Sequence, residues 1–432
     1  MHVPQELVDI VIDNLHDDKH ALKTCSLVAP HWLHSSRLHL WHDLDVAVSE
    51  QPRSFHAFDE FLKTAPVIGS YVRNVRFQHG RTVVLEPFAF FTAGPRPQSR
   101  IAADHLASIL AKLPRLKSLL LDTVSIGGSD THRLQTSLRP YQLHSVTLTN
   151  VRIEQSDYAG KYLFDIFTLF SRVKHLRLRN LSTSFFPDPF RPFRLDAIGP
   201  SVDPHRLHVE SLALDMSITT REYADVIHRS LDCNQLSSLS ATCMQIDELP
   251  LVGRIIHDAA ATLTHFEFNL RNSIVDDMPT RSDWRELHLS TCTALTSLVL
   301  HFTLEGYPGS APISQAIWTQ VVDLLNTLPS ASPLASLSFN IVFLGDSEDE
   351  QLGSLDWGGF REALRRFYKL TSMEFWSYDS RLGVGGSHVD GYGTWRVRHG
   401  QGTVMGSVGD DRRNRIENEL QEWKKTGVLC IC

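Results

Sequence analysis

Cysteine is scarce: six in 432 residues. Cys25, Cys233, Cys243 and Cys292 stand singly, and Cys430 and Cys432 come last. That spacing excludes a disulfide framework and fits a reducing compartment. Long apolar runs are also lacking. No stretch reaches the ~18 residues that a membrane span needs. Glu6, Asp9 and Asp13 interrupt the first apolar segment, so no signal peptide is expected there. Charge of one sign is not in excess: 42 Lys and Arg face 49 Asp and Glu, a net charge of −7. No bulk field therefore draws the chain to nucleic acid or to an anionic membrane. Residues 1–50 carry three Lys/Arg against eight Asp/Glu, the wrong sign for phosphate contacts. No G-x-S-x-G elbow, H-E-x-x-H helix, kinase set or glycine-rich phosphate loop occurs. The expectation is an intracellular chain, cytoplasmic or nuclear or both. It is expected to have no catalytic residues, no cofactor, no metal, and neither nucleic acid nor membrane as partner.

What is present is a repeat. One template, apolar-x-x-apolar-x-apolar, recurs at "LKSLLL" (Leu116), "LHSVTL" (Leu143), "VKHLRL" (Val173), "VESLAL" (Val209) and "LSSLSA" (Leu236). It continues at "LTHFEF" (Leu263), "LTSLVL" (Leu295), "LASLSF" (Leu334) and "LTSMEF" (Leu370). Two earlier copies read "WHDLDV" (Trp41) and "VRNVRF" (Val72). The last two apolar positions alternate, as a strand with one buried face requires. Segments such as "HLASILAKL", "YLFDIFTLF", "VGRIIHDAAATL" and "FREALRRFY" lie between copies with helical spacing. Strand, helix, strand in one register gives right-handed parallel crossovers, and units that cannot bury their own apolar face stack.

The template resembles the leucine-rich repeat over roughly residues 70–380, with a departure. Its Asn/Cys position holds residues such as Val124, Val151, Leu181 and Ser217, so the buried polar ladder of regular repeats is expected to be missing. The fold class expected is α/β: an N-terminal three-helix unit followed by an irregular solenoid, parallel sheet concave and helices convex.

The opening stretch, "VPQELVDIVIDNL", is apolar over too much of its circumference. Leu7, Val8, Ile10, Val11, Ile12 and Leu15 cover roughly 200° of helix, about twice the usual stripe. Pro4 sits near a first helical position, Asp17-Asp18 is a natural cap, and Pro30 punctuates the helix after it. A three-helix unit of about 45 residues has little core of its own. Part of its apolar arc calls for cover from a partner.

This region resembles an F-box. The residues that carry the likeness are Val3-Pro4-Gln5-Glu6-Leu7, Ile10, Val11, Leu15, Asp17-Asp18, Leu22, Cys25, Leu27-Val28, Trp32 and Leu40-Trp41. Val3 replaces the usual Leu, and "APHW" stands where a basic pair is common. "CSLVAPHWLHSSRLHLW" is especially similar to the F-box-like proteins of mushroom-forming fungi. The resemblance implies a substrate adaptor without chemistry of its own. Its F-box would dock a Skp-type linker, which joins a cullin–RING ubiquitin ligase, while the repeats hold a substrate protein. By the same resemblance Pro4, Leu7, Ile10, Val11, Leu15, Leu22, Val28 and Trp32 supply the linker-docking surface or hold it in shape. The alternative is a leucine-rich-repeat interaction scaffold whose N-terminal helices only cap the solenoid.

Other features are weaker. His31, His34, His39 and His42 lie within twelve residues, without the second pair of ligands a zinc site needs, and read as a solvated face. "FFPDPFRPFRLDAIGP" interrupts the repeats. Its Phe185, Phe186, Phe190 and Phe193 either anchor a substrate or fold back over a helix. With Lys174 and Arg177 on the strand before it, they form the candidate substrate-binding set. Residues Gly383 to Gly409 hold nine glycines and match no phosphate pattern. "DRRNRIENELQEWKK" reads as a closing helix with Gly427 as its C-cap. The expected division is 1–46 F-box-like, 47–380 repeats, 381–410 glycine-rich loop, and 411–432 capping helix and tail.

Overall fold

The repeated template forms strands, and its phase decides which side chains are buried. The computed structural model describes residues 4–48, 54–79, 100–128, 140–154, 159–183, 206–215, 223–243, 248–270, 284–306, 311–345, 352–353, 355–379 and 410–431. They belong to two units: Met1–Ala213 with Thr219–Asp232, and Leu214–Ile218 with Cys233–Cys432.

The first unit opens with helices α1 (Gln5–Asn14), α2 (Lys19–Val28) and α3 (Pro30–Leu40). Strand β1 (Asp43–Val48) follows, then helices α4 (Ser54–Thr64) and α5 (Pro66–Gly69) and strand β2 (Asn74–His79). Beyond these lie β3 (Arg100–Ile101), α6 (Ala103–Ala111), β4 (Ser118–Asp122), β5 (Ser125–Ile126), β6 (Tyr141–Thr149) and β7 (Arg152–Ile153). The unit continues through α7 (Ala159–Phe167), β8 (Phe170–Arg179), β9 (Ser182–Thr183) and β10 (Leu207–Asp215), the last as far as Ala213. Strands β1, β2, β4, β6, β8 and β10 are neighbours in that order. The register pairs template position with template position: Leu44 with Val75, Val75 with Leu119, Leu119 with Val146, and Val146 with Leu176, all parallel.

In the second unit, strands β11 (Ser238–Cys243), β12 (His265–Leu270), β13 (Ser297–Gly306), β14 (Ser336–Gly345), β15 (Ser372–Asp379) and β16 (Leu429–Ile431) are parallel neighbours. Leu239, Phe266, Leu298, Leu337 and Met373 pair across them in turn. The fold is therefore α/β, with parallel sheets built from one repeated strand and helices between the copies. From Val75 onward, the second and third apolar positions of every described copy are buried, down to Met373 and Phe375. In the first copy, Leu44 and Val46 are only half-buried. Beyond the glycine-rich segment, which lies outside the described residues, Gly427 takes φ +74° and turns the chain into β16. That φ is readily open only to glycine.

One expectation is corrected. The Asn/Cys position does hold buried apolar residues, Val124, Val151 and Leu181, but a polar ladder exists one residue earlier. Thr123, Asn150 and Asn180 adopt φ of 58°, 53° and 51°. The Asn150 amide donates to Asp122 (3.1 Å), and the Asn180 amide donates to Asn150 Oδ1 (2.9 Å). The backbone N–H groups of Thr123 and Asn150 donate to the next strand at Thr149 and Arg179. Asparagine tolerates the left-handed turn and bonds sideways at once. The turn redirects the chain into β5, β7 and β9, which with β3 make a small parallel sheet of their own.

Candidate functional site

The three N-terminal helices carry the candidate site. Asp18 starts α2 by accepting from the N–H groups of His20 and Ala21, at 3.0 and 2.9 Å. Pro30 begins α3, where its missing N–H costs nothing. The core beneath is small: Val8, Ile12 and Leu22 are fully buried, with Leu15, Trp32 and Leu40 packed against them.

A polar seam locks α1 to α3. Gln5 donates to the His31 carbonyl (3.2 Å), Ser35 donates to Asp9 (2.5 Å), and His39 Nε2 lies 2.7 Å from Asp13 Oδ1. Residues 5, 9 and 13 meet residues 31, 35 and 39, so both partners step by one helical turn. Hydrogen bonds from Ser35 and Gln5 hold the Asp9 carboxyl below the usual carboxylate range. Of the four histidines read as a solvated face, His31 and His34 are exposed, and His34, His39 and His42 have polar partners. His39 belongs to the seam, His34 Nδ1 lies 3.2 Å from the Tyr71 hydroxyl, and His42 lies 3.1 Å from Asp43. Among the described residues no group of three or more His, Cys, Asp and Glu is arranged around a metal position.

The seam and the core use one side of α1. The other side displays Leu7, Ile10 and Val11, which are 53%, 56% and 47% exposed. At the end of α2, Leu27 and Val28 are 86% and 62% exposed. Exposed apolar side chains grouped in this way mark interaction surfaces. Of the eight residues expected in or under a docking surface, Leu22 lies in the core and Leu15 and Trp32 pack on it. Pro4, Leu7, Ile10, Val11 and Val28 are displayed. Leu27 is not in that set, although its pairing with Val28 in sequence is the signal that points to it.

The candidate substrate residues divide differently. Lys174 and Arg177 are exposed on β8. Phe185, Phe186, Phe190 and Phe193 lie outside the described residues. No described helix is long and apolar enough to cross a membrane.

No family model and no curated protein matches the chain. Among solved structures it is similar to the crystal structure of the Rad7 and Elc1 complex in yeast. The two chains are 14% identical, with a TM-score of 0.31, over 86% of this chain and 88% of that one. A likeness so distant decides nothing about function.

Proposed function

We propose that this chain is the substrate-recognition adaptor of a Skp–cullin–F-box ubiquitin ligase. In this reading α1 and the end of α2 dock a Skp-type linker, the linker joins a cullin–RING assembly, and the repeats hold the substrate protein on a concave sheet face. The chain supplies no catalytic group or cofactor and acts in the cytoplasm, the nucleus or both. The observation that carries the reading is the split in the F-box-like residues. Val8, Ile12 and Leu22 close a core, while Leu7, Ile10, Val11 and Val28 remain displayed although they are apolar. A helix that served only as a cap would need polar residues there, because its apolar side would already be spent on the core.

The alternative, a scaffold whose helices only cap the repeats, draws on a separate observation. The head is tied to its neighbours by Asn74 on Asp43 (2.5 Å), by Lys19 on the Asp43 carbonyl (3.4 Å) and by the Trp41–Phe61 ring contact. Calorimetric titration of the purified chain with a Skp-type linker separates the two. Saturable binding supports the adaptor. No heat at about 100 μM linker, where a Kd of even ~10 μM is evident, leaves the cap.

A further inference from the structure

Four neighbouring strands in the middle of the first unit's row carry a basic stripe at their outward repeat positions, and no strand of the second unit repeats it among the described residues. The outward template positions of β2, β4, β6 and β8 hold six Arg/Lys side chains (Arg73, Arg76, Lys117, Lys174, Arg177 and Arg179) and one carboxylate, Asp122, while those of the flanking β1 and β10 hold Asp43, Asp45, Glu210 and Asp215. The corresponding described positions of β11 to β15 hold no Lys or Arg and two carboxylates, Glu267 and Glu374. In a chain of net charge −7, this basic face is a concentration and not an average.

The strand-entry position shows the contrast most clearly. In the second unit it is taken by Thr264, Thr296 and Thr371. Their hydroxyls donate back to the carbonyls of Ser237, Thr264 and Ala335, at 3.0, 3.0 and 3.1 Å. Those side chains are consumed in the ladder. In β2, β4, β6 and β8 the position holds Arg73, Lys117, His144 and Lys174, with His42 and Glu210 at the two flanking strands, and the row is brought into line because Lys117 N–H donates to Arg73 O (2.6 Å) and His144 N–H to Lys117 O (2.7 Å). Lys117, His144 and Lys174 are exposed. His175, next to Lys174, meets His144 ring to ring at 4.9 Å. Burial, then His144 and Lys174, push the His175 imidazole below its ordinary pKa, against the opposing pull of Glu210.

We infer that this face of the first unit binds an extended, carboxylate-rich peptide segment, with Arg73, Lys117, Lys174 and Arg177 as the principal contacts. The inference deepens the adaptor reading by giving the substrate a chemistry, and rests on that reading only for calling the ligand a substrate. Neighbouring strands are ~4.8 Å apart, so the row from Arg73 to Lys174 spans about 14 Å. An extended chain covers that in four or five residues, with alternate side chains facing the sheet. Single-stranded nucleic acid is the other anionic polymer of that width. Its non-specific binders add aromatic platforms for the bases, and none of the described outward residues of these four strands is Phe, Tyr or Trp.

The test uses the full chain and fluorescence anisotropy. The probes are a labelled twelve-residue peptide of alternating Glu and Ser, its Gln–Ser counterpart, and a thymidine oligonucleotide of equal length. The Glu peptide should bind, the Gln peptide at least ~10-fold more weakly, and binding should fall several-fold between about 50 and 250 mM salt. Lys117→Glu/Lys174→Glu/Arg177→Glu should reduce binding at least ~10-fold. Lys369→Glu/Lys425→Glu, exposed in the second unit, should leave it unchanged. Circular dichroism checks that both variants are folded. Equal binding of the Glu and Gln peptides, full binding by the folded triple variant, equal loss in the control variant, or tighter binding of the oligonucleotide overturns the inference. Linker binding is measured on the same samples. A chain that binds the linker and not the Glu peptide sinks only the inference, and one that binds the Glu peptide and not the linker sinks only the adaptor.

Discussion

Replacing Leu7 and Val11 by Asp tests the docking surface without dismantling what lies beneath it. The two side chains are about half exposed, so roughly half of their apolar surface remains to be covered by a partner. Full burial of a Leu or Val is worth ~1.5–3 kcal/mol, which leaves ~1 kcal/mol for each. A carboxylate carried into an apolar contact adds a desolvation cost of at least ~1–3 kcal/mol per site. The double variant should therefore lose ~4 kcal/mol or more of linker affinity, about a thousand-fold. In the free chain both new carboxylates stay hydrated, and the one replacing Leu7 would sit near the favourable N-terminal end of α1. The stability change should stay within about 1 kcal/mol. Val8→Ala/Ile12→Ala gives the contrast: both residues are fully buried, and each truncation should cost ~1–4 kcal/mol through lost packing. Titration calorimetry reads linker affinity, and thermal melts read the head. A folded Leu7→Asp/Val11→Asp chain that binds the linker within about threefold of the parent refutes the surface.

Three further outcomes follow from the packing. Asn150→Ala loses two side-chain hydrogen bonds and places alanine in a left-handed turn that asparagine tolerates better, so it should cost ~2–3 kcal/mol in denaturant unfolding. Asn150→Gly should cost ~1 kcal/mol less, because only the bonds are lost. Gly253 in the helix Leu249–Asp258 should resist alanine: an added β-carbon would stand 1.7 Å from the Glu286 carbonyl oxygen, so the clash outweighs the ~1 kcal/mol gain in helix propensity and Gly253→Ala lowers Tm. Burial pushes the buried Asp59 carboxyl up, but the ammonium groups of Lys112 and Lys63 outweigh it and hold it below its ordinary value. A depressed carboxyl contributes stability above the unfolded pKa of ~3.9 and loses it as pH falls through the folded value. Asp59→Asn should therefore cost ~2 kcal/mol at pH 7 and flatten the loss of stability below about pH 4, read from urea midpoints across pH.

The repeats were legible because their signal is redundant. Each copy is weak, but the burial of Leu119, Val146 and Leu176 follows from one alternation repeated in one register. The polar ladder was not legible, because it is displaced. A search at the usual Asn/Cys position finds Val124, Val151 and Leu181, and the ladder residues stand one place earlier at a left-handed turn that a pattern of apolar spacing does not encode. The basic stripe on β2, β4, β6 and β8 could be read directly. What gives it consequence is the threonine hydroxyls folded into the second unit's ladder, which only coordinates show.

The rotation of α1 lies between these cases. Its apolar arc is twice too wide, so sequence indicates two faces without telling which one is inside. At 100° per residue, Gln5, Asp9 and Asp13 fall at about 0°, 40° and 80°, with Val8 and Ile12 at about 300° and 340°. Ile10, Leu7 and Val11 fall at about 140°, 200° and 240°. Burying the second group would leave Asp9 and Asp13 far from any partner on α3. Burying the first group satisfies them with Ser35 and His39 and adds Gln5 to the His31 carbonyl. Hydrophobicity is nearly degenerate between the two rotations, so the polar residues decide. The apolar triplet on the other side is displayed because the hydrogen bonds of the seam leave α1 one rotation that satisfies them. Breaking the seam should therefore loosen linker docking at a distance. Ser35→Ala/His39→Ala leaves every displayed residue in place. It removes two hydrogen bonds worth ~1 kcal/mol each, and should weaken linker binding by ~3–10-fold while lowering Tm of the head. Linker affinity unchanged in that variant would show that the displayed face is held by the apolar core alone.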